Sequence, residues 1–597
     1  MKFDKETIFL LSICMIVLIA WPYFFPAKQQ PKPQIKPPVK TAPAQPGHSS
    51  VAPQKIEKTT DVAAPSAVEA AKLPQLPAIE IANDFITLSI NPNSGSLSSV
   101  TLKKYSRDDD RKKNIVLDSS QDALAVSIND KWTACKVIPG KETKDSYELT
   151  RDFVSSRPQE SFSLTQSWKV LKNYQTSYNV TIRNTGSLPL TLANLNVNAG
   201  GMAPLTFVSG DAARREYHYI SAFVPSINKV VDSDTSLKQS EQLFLAQKLN
   251  VPLGWVSASN KYFACILKAQ DLFDGGSNIS RQLKNAPLSA LPKPGFNPLS
   301  LFGVGPSQPD PRYYVLSIAG VYKNIPLAPG EARNLSFTYY SGPKEIKYLD
   351  EFAPSSTKIM NLFFAWTWPV LNLLGRLLEW FSQMLLAWLI YFKELTGSYG
   401  FGIILLTVIV RSAVWPFSQK ANQSMKKMQK LQPLVAQIKE KYKGNPQVMN
   451  QQVMLLYKEH KANPVGGCLP VLMQFPVFLA LYCTIEGSVV LRHQPFLWCS
   501  DLCQPDNIAT IMGIGIHPLI IVMTVLMVLQ QKITPSAADP AQQKMMMFMP
   551  IVMLFLLYNL PSGLTLYWTI SQAISIVQLI INNRSRKEEA QAVATAK

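Results

Sequence analysis

The sequence predicts a mixed architecture: an N-terminal signal-anchor helix, an all-β domain, and an α-helical membrane core of five transmembrane helices with a helical hairpin on its inner side. Three observations lead there. Beyond about residue 400 several windows hold close to the ~18 mostly apolar residues that cross ~30 Å of hydrocarbon. Residues 78–345 instead alternate apolar and polar positions between Gly, Asn and Pro breaks, the pattern of antiparallel strands. One apolar run, Ile8 to Phe25, precedes both behind a short charged tip.

The elements follow in order. Residues 1–25 read as an uncleaved anchor, since no small-x-small cleavage site follows the run. Residues 26–77 contain 11 prolines among Lys, Gln, Ala and Val, a composition that cannot bury a core and makes a linker. The β domain, 78–345, carries runs such as FITLSI, YNVTIRN and LPLTLANLNV, separated by NPNSGS, RNTGSLP and LAPGEA. About 265 residues of this texture suit one large sandwich. Residues 346–397 are rich in Trp, Phe and Leu yet hold Pro369, Arg376 and Glu379, which indicates an interfacial amphipathic helix, with a true crossing as the alternative.

Five spans are expected in the core, 398–583, at about 398–417, 466–488, 508–530, 545–560 and 564–582. From Lys420 to Lys461 there are nine lysines against Glu440 and Glu459, whereas 489–510 holds only Arg492 against Asp501 and Asp506. The positive-inside bias therefore puts the first stretch in the cytoplasm and the second outside. Counting back, the β domain lies outside if 356–395 does not cross, and with the N-terminal anchor both termini, including the tail 584–597, are cytoplasmic. The net charge of +19 is explained by such loops rather than by a nucleic-acid partner. Within the basic stretch, Met428, Leu431, Val435, Ile438 and Tyr442 form a helical seam, KGNP breaks it, and Met449, Val453 and Leu456 begin a second. A helical hairpin over 419–461 results.

No phosphate-binding glycine loop or H-E-x-x-H motif is present, and Ser-x-x-Lys recurs in unrelated settings, among them Ser226/Lys229 and Ser424/Lys427. The sequence gives no catalytic centre, no metal site and no cofactor. Seven cysteines do not form a disulfide framework; only Cys499 and Cys503 are close, and an oxidising outer compartment predicts a local disulfide between them. What remains is polarity inside membrane segments. Arg411 sits in LLTVIVRSAVW, where a central charge costs ~2.5–3.5 kcal/mol on insertion scales. Thr407 shares its helix face at i, i+4. Gln474 punctuates the second span, and Tyr567, Trp568, Ser571 and Gln572 line part of the last. Two readings of Arg411 stay open on spacing alone. It could snorkel to the interface, ~9 Å away at Phe417, or charge a polar cavity shared by several helices.

GFGIILLTVIVR, KMQKLQPLVAQIKEKY, NPVGGCLPVLMQFPVFLALY, DPAQQKMMMFMP and PSGLTLYW, in that order, resemble the YidC family of membrane protein insertases, with weaker echoes at GWVSASNKYFA and SGPKEI. The resemblance covers about 398–583, and the anchor with a large β domain is similar to the Gram-negative form. It implies a bacterial inner-membrane protein whose β domain is a periplasmic supersandwich, with a hydrophilic groove open to lipid and cytoplasm. Arg411 falls on the groove arginine, and Thr407 and Gln474 on groove-lining positions. Met523, Met527, Tyr567 and Trp568 match positions that contact the substrate helix, and Ser571 is placed with them. The hairpin matches a mobile substrate-receiving element. The implied partners are nascent membrane proteins, the Sec translocon with its accessory subunits, the ribosome in a weak or transient contact, and the lipid bilayer. The rival expectation is a secondary transporter of an anionic solute bound at Arg411. The internal repeats common in transporters are missing from the sequence, which counts against it.

Overall fold

The computed structural model describes residues 76–595, with breaks at 108–110, 129–131, 156, 158, 203–218, 235–250, 286–311, 361–368, 461–468, 512–513 and 535–539. The expected anchor, 1–25, and the linker as far as residue 75 lie outside the described residues.

The β domain is a sandwich. Its large antiparallel sheet has the spatial order β12 (Lys229–Asp234), β11 (Tyr219–Val224), β13 (Leu253–Ser259), β14 (Phe263–Phe273), β17 (Ala332–Pro343), β9 (Gln175–Asn184), β8 (Ser161–Val170), β7 (Ser146–Val154) and β6 (Thr133–Glu142). Two smaller sheets face it. One runs β1 (Ile79–Ala82), β2 (Ile86–Asn91), β3 (Ser96–Ser106), β4 (Asn114–Ala123). The other runs β15 (Ser277–Asn285), β16 (Arg312–Leu327), β10 (Leu190–Met202), β5 (Val126–Ile128). Strands β10 and β16 pack over β13 and β14, while β1 lies against β8.

Period-two alternation sets the inward face. In β2 every second residue, Ile86, Leu88 and Ile90, is buried, and β8 repeats the rule with Phe162, Leu164, Gln166 and Trp168. Register then aligns aromatics across strands: Tyr147 opposes Trp168, Trp168 opposes Tyr178, and Tyr178 opposes Phe337. These rings stack at centroid distances of 5.6–6.0 Å, each pair adding ~0.5–1.5 kcal/mol beyond its buried area. A charge enters this core. Arg151 donates through Nη2 to Gln166 Oε1 at 2.8 Å, and Gln166 Nε2 reaches Gly95 O and Tyr178 OH. The network pins the NPNSGS turn to the large sheet. Gly95 has φ +64°, and a Cβ there would stand 2.2 Å from Gln166 Oε1, so the turn demands glycine twice over.

After β17 come α1 (Ile346–Phe352), a 3₁₀ stretch (Pro354–Met360) and α2 (Pro369–Thr396). Helix α2 buries Leu378, Leu385, Leu389 and Phe392, and packs on the two following apolar helices. Leu377, Trp380, Trp388, Tyr391 and Leu395 remain exposed at helical spacing. The helix expected at the interface therefore has two apolar sides, one against protein and one aromatic-rich and open. Gly397, at φ +78°, ends it, and Ser398 Oγ caps the next helix by accepting from Gly400 N.

That next helix, α3 (Tyr399–Lys441), corrects one expectation. The first span and the first hairpin arm are a single helix of 43 residues. Pro416 and Pro433 each remove only one backbone bond, and no glycine lies between Gly402 and Gly444 to end it. The break falls in KGNP, where Asn445 Oδ1 accepts from Val448 N to cap α4 (Pro446–Glu459). Leu431, Val435 and Tyr457 are buried between the arms, with Met428, Val453 and Leu456 packed around them.

Helix α5 (Leu469–Gly487) leads to the loop expected on the outer side, here called the outer loop. Strand β18 (Ala509–Ile511) then pairs with β19 (Ile514–Ile516), so the helix expected as the third span, α6 (Pro518–Ile533), starts at 518 rather than at 508. The cause is local: a residue before proline avoids the helical region, and His517 is extended at φ −113°, ψ 93°. Helices α7 (Pro540–Leu556) and α8 (Ser562–Thr595) complete the chain. Among the described residues, Tyr399–Pro416 and Ser562–Asn582 are long and apolar enough to cross a membrane, while Pro518–Ile533 and Met547–Leu556 are shorter apolar helices. Exposed Val525 on α6, Phe548 and Val552 on α7 and Val577 on α8 give these helices an outer surface that water would penalise.

Candidate functional site

Helices α3 and α8 start on the same side as the outer loop and pack alongside one another. On α3, residues at steps of four share one face: Thr407, Arg411, Trp415 and Gln419. On α8 the same step relates Tyr567, Ser571 and Ser575, with Asn582 further along. The two rows meet. Arg411 Nε donates to Ser571 Oγ at 2.5 Å, and Gln419 Nε2 donates to Asn582 Oδ1 at 3.3 Å. Helix α5 joins from the side, where Gln474 Nε2 donates to Tyr567 OH. Tyr567 and Ser571 are fully buried, and Arg411 is half-buried and close enough to Tyr567 for an electrostatic contact. Arg411 thus sits inside a polar seam and is bonded there, which a purely snorkelling side chain would not need.

The other expected residues divide. Thr407 is buried but returns its hydroxyl to Ile403 O at 2.6 Å on its own helix. Trp568 turns toward α5 and meets Phe478 edge-on, with ring centroids 4.9 Å apart. Met523 is buried on α6, which packs along α8, and Met527 is half-buried one turn further. Ser575, Gln419 and Asn582 belong to the seam although sequence reasoning passed over them. The signal for Gln419 and Ser575 was the four-residue recurrence, whereas Asn582 lies seven residues, two helical turns, past Ser575.

The end expected to be the outer one is covered by residues 488–507. Asp506 Oδ2 accepts from Leu519 N at 2.7 Å and from Trp498 Nε1 at 3.1 Å, serving the first turn of α6. Gln504 O and Leu502 O accept from Ser562 N and Gly563 N at the start of α8. The expected disulfide is not formed. Cys499 and Cys503 are both free and buried, and Cys503 Sγ donates to Ile485 O at 3.1 Å instead. Burial, with Asp506 adding to it, pushes the Cys499 thiol up to about 11; burial raises Cys503 as well.

The β domain grips this loop. Lys261 Nζ lies 3.4 Å from Glu486 Oε1, with both side chains largely buried. Arg492 Nη1 donates to Ser106 O at 2.9 Å, and Arg111 Nη1 to Ser500 O at 3.1 Å. Ser106 Oγ and His493 Nδ1 are 3.0 Å apart.

Two family models match the chain: "60Kd inner membrane protein" over residues 391–589 and "YidC periplasmic domain" over residues 78–271. A "Membrane protein insertase YidC" of Geobacter sulfurreducens is 43% identical over 265 residues, which is 44% of this chain and 45% of that protein. With this relative the chain aligns over less than half the relative's length. A protein of the same name from Geobacter metallireducens is 29% identical over 98% of each chain. A solved structure titled "Active YidC insertase crystal structure with the first transmembrane domain resolved" aligns at 16% identity and TM-score 0.34, covering 85% of this chain and 92% of that one.

Proposed function

This chain belongs to the YidC family, and we propose that it is a membrane protein insertase and chaperone that inserts and helps fold integral membrane proteins. The carrying observation is the seam with Arg411 bonded to Ser571 inside two span-grade helices. A fixed cation and a row of hydroxyls bring polarity partway into the bilayer. The hydrophilic end of a substrate then has a shorter apolar distance to cross, and the substrate's own apolar helix partitions sideways into lipid.

In this reading the seam lines a groove open to lipid and cytoplasm. Five core helices and the N-terminal anchor span the inner membrane, and both termini are cytoplasmic. Tyr567 and Trp568, with Met523 and Met527, contact the incoming helix. The hairpin around KGNP receives nascent chains from the ribosome, and the protein works alone or beside the Sec translocon. The closed outer loop supports this polarity, because a device that releases substrate sideways needs no passage through its outer face. Anionic-solute transport gains nothing from the named relatives, which are called insertases.

Depleting the protein separates the two activities. Insertion of single-span proteins should fail while uptake of anionic solutes continues. Lost uptake with normal insertion would reverse the assignment.

A further inference from the structure

Two buried polar atoms on the helices joined by the Arg411–Ser571 bond lack partners among the described residues: Trp415 Nε1, a donor, and Gln572 Oε1, an acceptor. Trp415 lies one helical turn past Arg411 on the seam face of α3. Gln572 follows Ser571 directly on α8 and is 9% exposed. In hydrocarbon an unpaired N–H or C=O is strongly disfavoured. The neighbouring hydroxyls avoid that state: Thr569 and Ser575 both bond carbonyls of their own helix. Trp415 and Gln572 cannot do so through these atoms in their present arrangement.

We propose that Trp415 Nε1 and Gln572 Oε1 are docking atoms for the main chain of the incoming polypeptide, the indole donating to a peptide C=O and the amide oxygen accepting from a peptide N–H. This rests on the insertase reading above. A neutral donor and a neutral acceptor match the two groups that nearly every residue offers whatever its side chain. They also suit a hydrophilic segment that enters before it is helical, with its own peptide groups unpaired. Arg411 would take acidic side chains, and these two atoms would take backbone, so recognition would not depend on sequence.

The test uses the full-length protein in phosphatidylethanolamine–phosphatidylglycerol vesicles, with a single-span substrate bearing an acidic translocated end. Trp415→Phe and Gln572→Met remove the polar atoms while keeping bulk. Each should keep or raise the melting temperature, because an unpaired group is lost, and each should lower insertion about fivefold, the worth of one neutral hydrogen bond. Insertion equal to the parent in both variants would overturn the proposal, as would insertion and melting temperature falling together. Arg411→Ala is run alongside. Impairment there with none in the other two sinks only the docking atoms, whereas Arg411→Ala inserting like the parent removes the insertase mechanism beneath them.

Discussion

Ser571 holds Arg411 by one charge-assisted hydrogen bond, a contact of ~1.5–3 kcal/mol when its partner is charged. Ser571→Ala should leave the charge in the seam but let the guanidinium wander, so insertion should drop, and by less than for Arg411→Ala. A Ser571→Ala defect as deep as that of Arg411→Ala would mean orientation outranks charge. At the outer loop, Cys499 and Cys503 should both appear as thiols in the mass of the unreduced protein, and both should alkylate only after unfolding. With its thiol near 11, Cys499 at pH 8 carries roughly a hundredfold less thiolate than a free cysteine. The native state keeps that proton while the unfolded chain loses it near 8.5. This contribution to stability is therefore full below about pH 8.5 and is lost as pH rises toward 11. Thr407 and Arg411 were legible as one helix face because i, i+4 geometry is local. The Ser571 partnership was not, since which helix lies beside α3 is settled by packing. Cys499 and Cys503 misled because compartment and spacing say nothing of where each thiol points.

The strands were the most legible elements, since period-two burial and turn glycines act within a few residues: NPNSGS forms the β2–β3 turn and LAPGEA the β16–β17 turn. Helix ends in the core were less so. A proline inside α3 does not end it, while a proline at residue 518 starts α6, and only the surrounding packing distinguishes the two. The grip between β domain and outer loop was invisible, because Lys261 and Glu486 are 225 residues apart. Breaking such a largely buried pair should cost about 3 kcal/mol. Lys261→Glu and Glu486→Lys should each destabilise the protein in thermal unfolding, and the double exchange should recover more than half of the loss. No recovery would mean that the pair contributes nothing of its own. The hairpin is held by a small cluster around Leu431, Val435 and Tyr457. Hydrogen exchange at 446–459 should therefore run well ahead of that at 469–487. Equal protection would indicate a rigidly docked hairpin.

At the scale of the whole molecule, the proposed function joins charge asymmetry, a seam between α3 and α8, and the loop packed over their starting ends into one directional device. The proposed topology rests on lysines and span parity. In a cysteine-free variant, Ser120→Cys should react with an impermeant thiol reagent from the periplasmic side and Lys430→Cys should not. The reverse labelling would invert the molecule in the membrane. The central claim is that Arg411 works through charge and hydration within the seam. It is tested most directly by the insertion, into vesicles, of a single-span substrate with an acidic translocated end, normalised to protein level, for Arg, Lys, Ala and Glu at position 411. Lys should retain most of the activity, because Coulomb attraction needs only the charge. Ala should lose about tenfold, and Glu should be worst. Equal insertion by the Arg, Ala and Glu forms would contradict the account and leave Arg411 a structural residue.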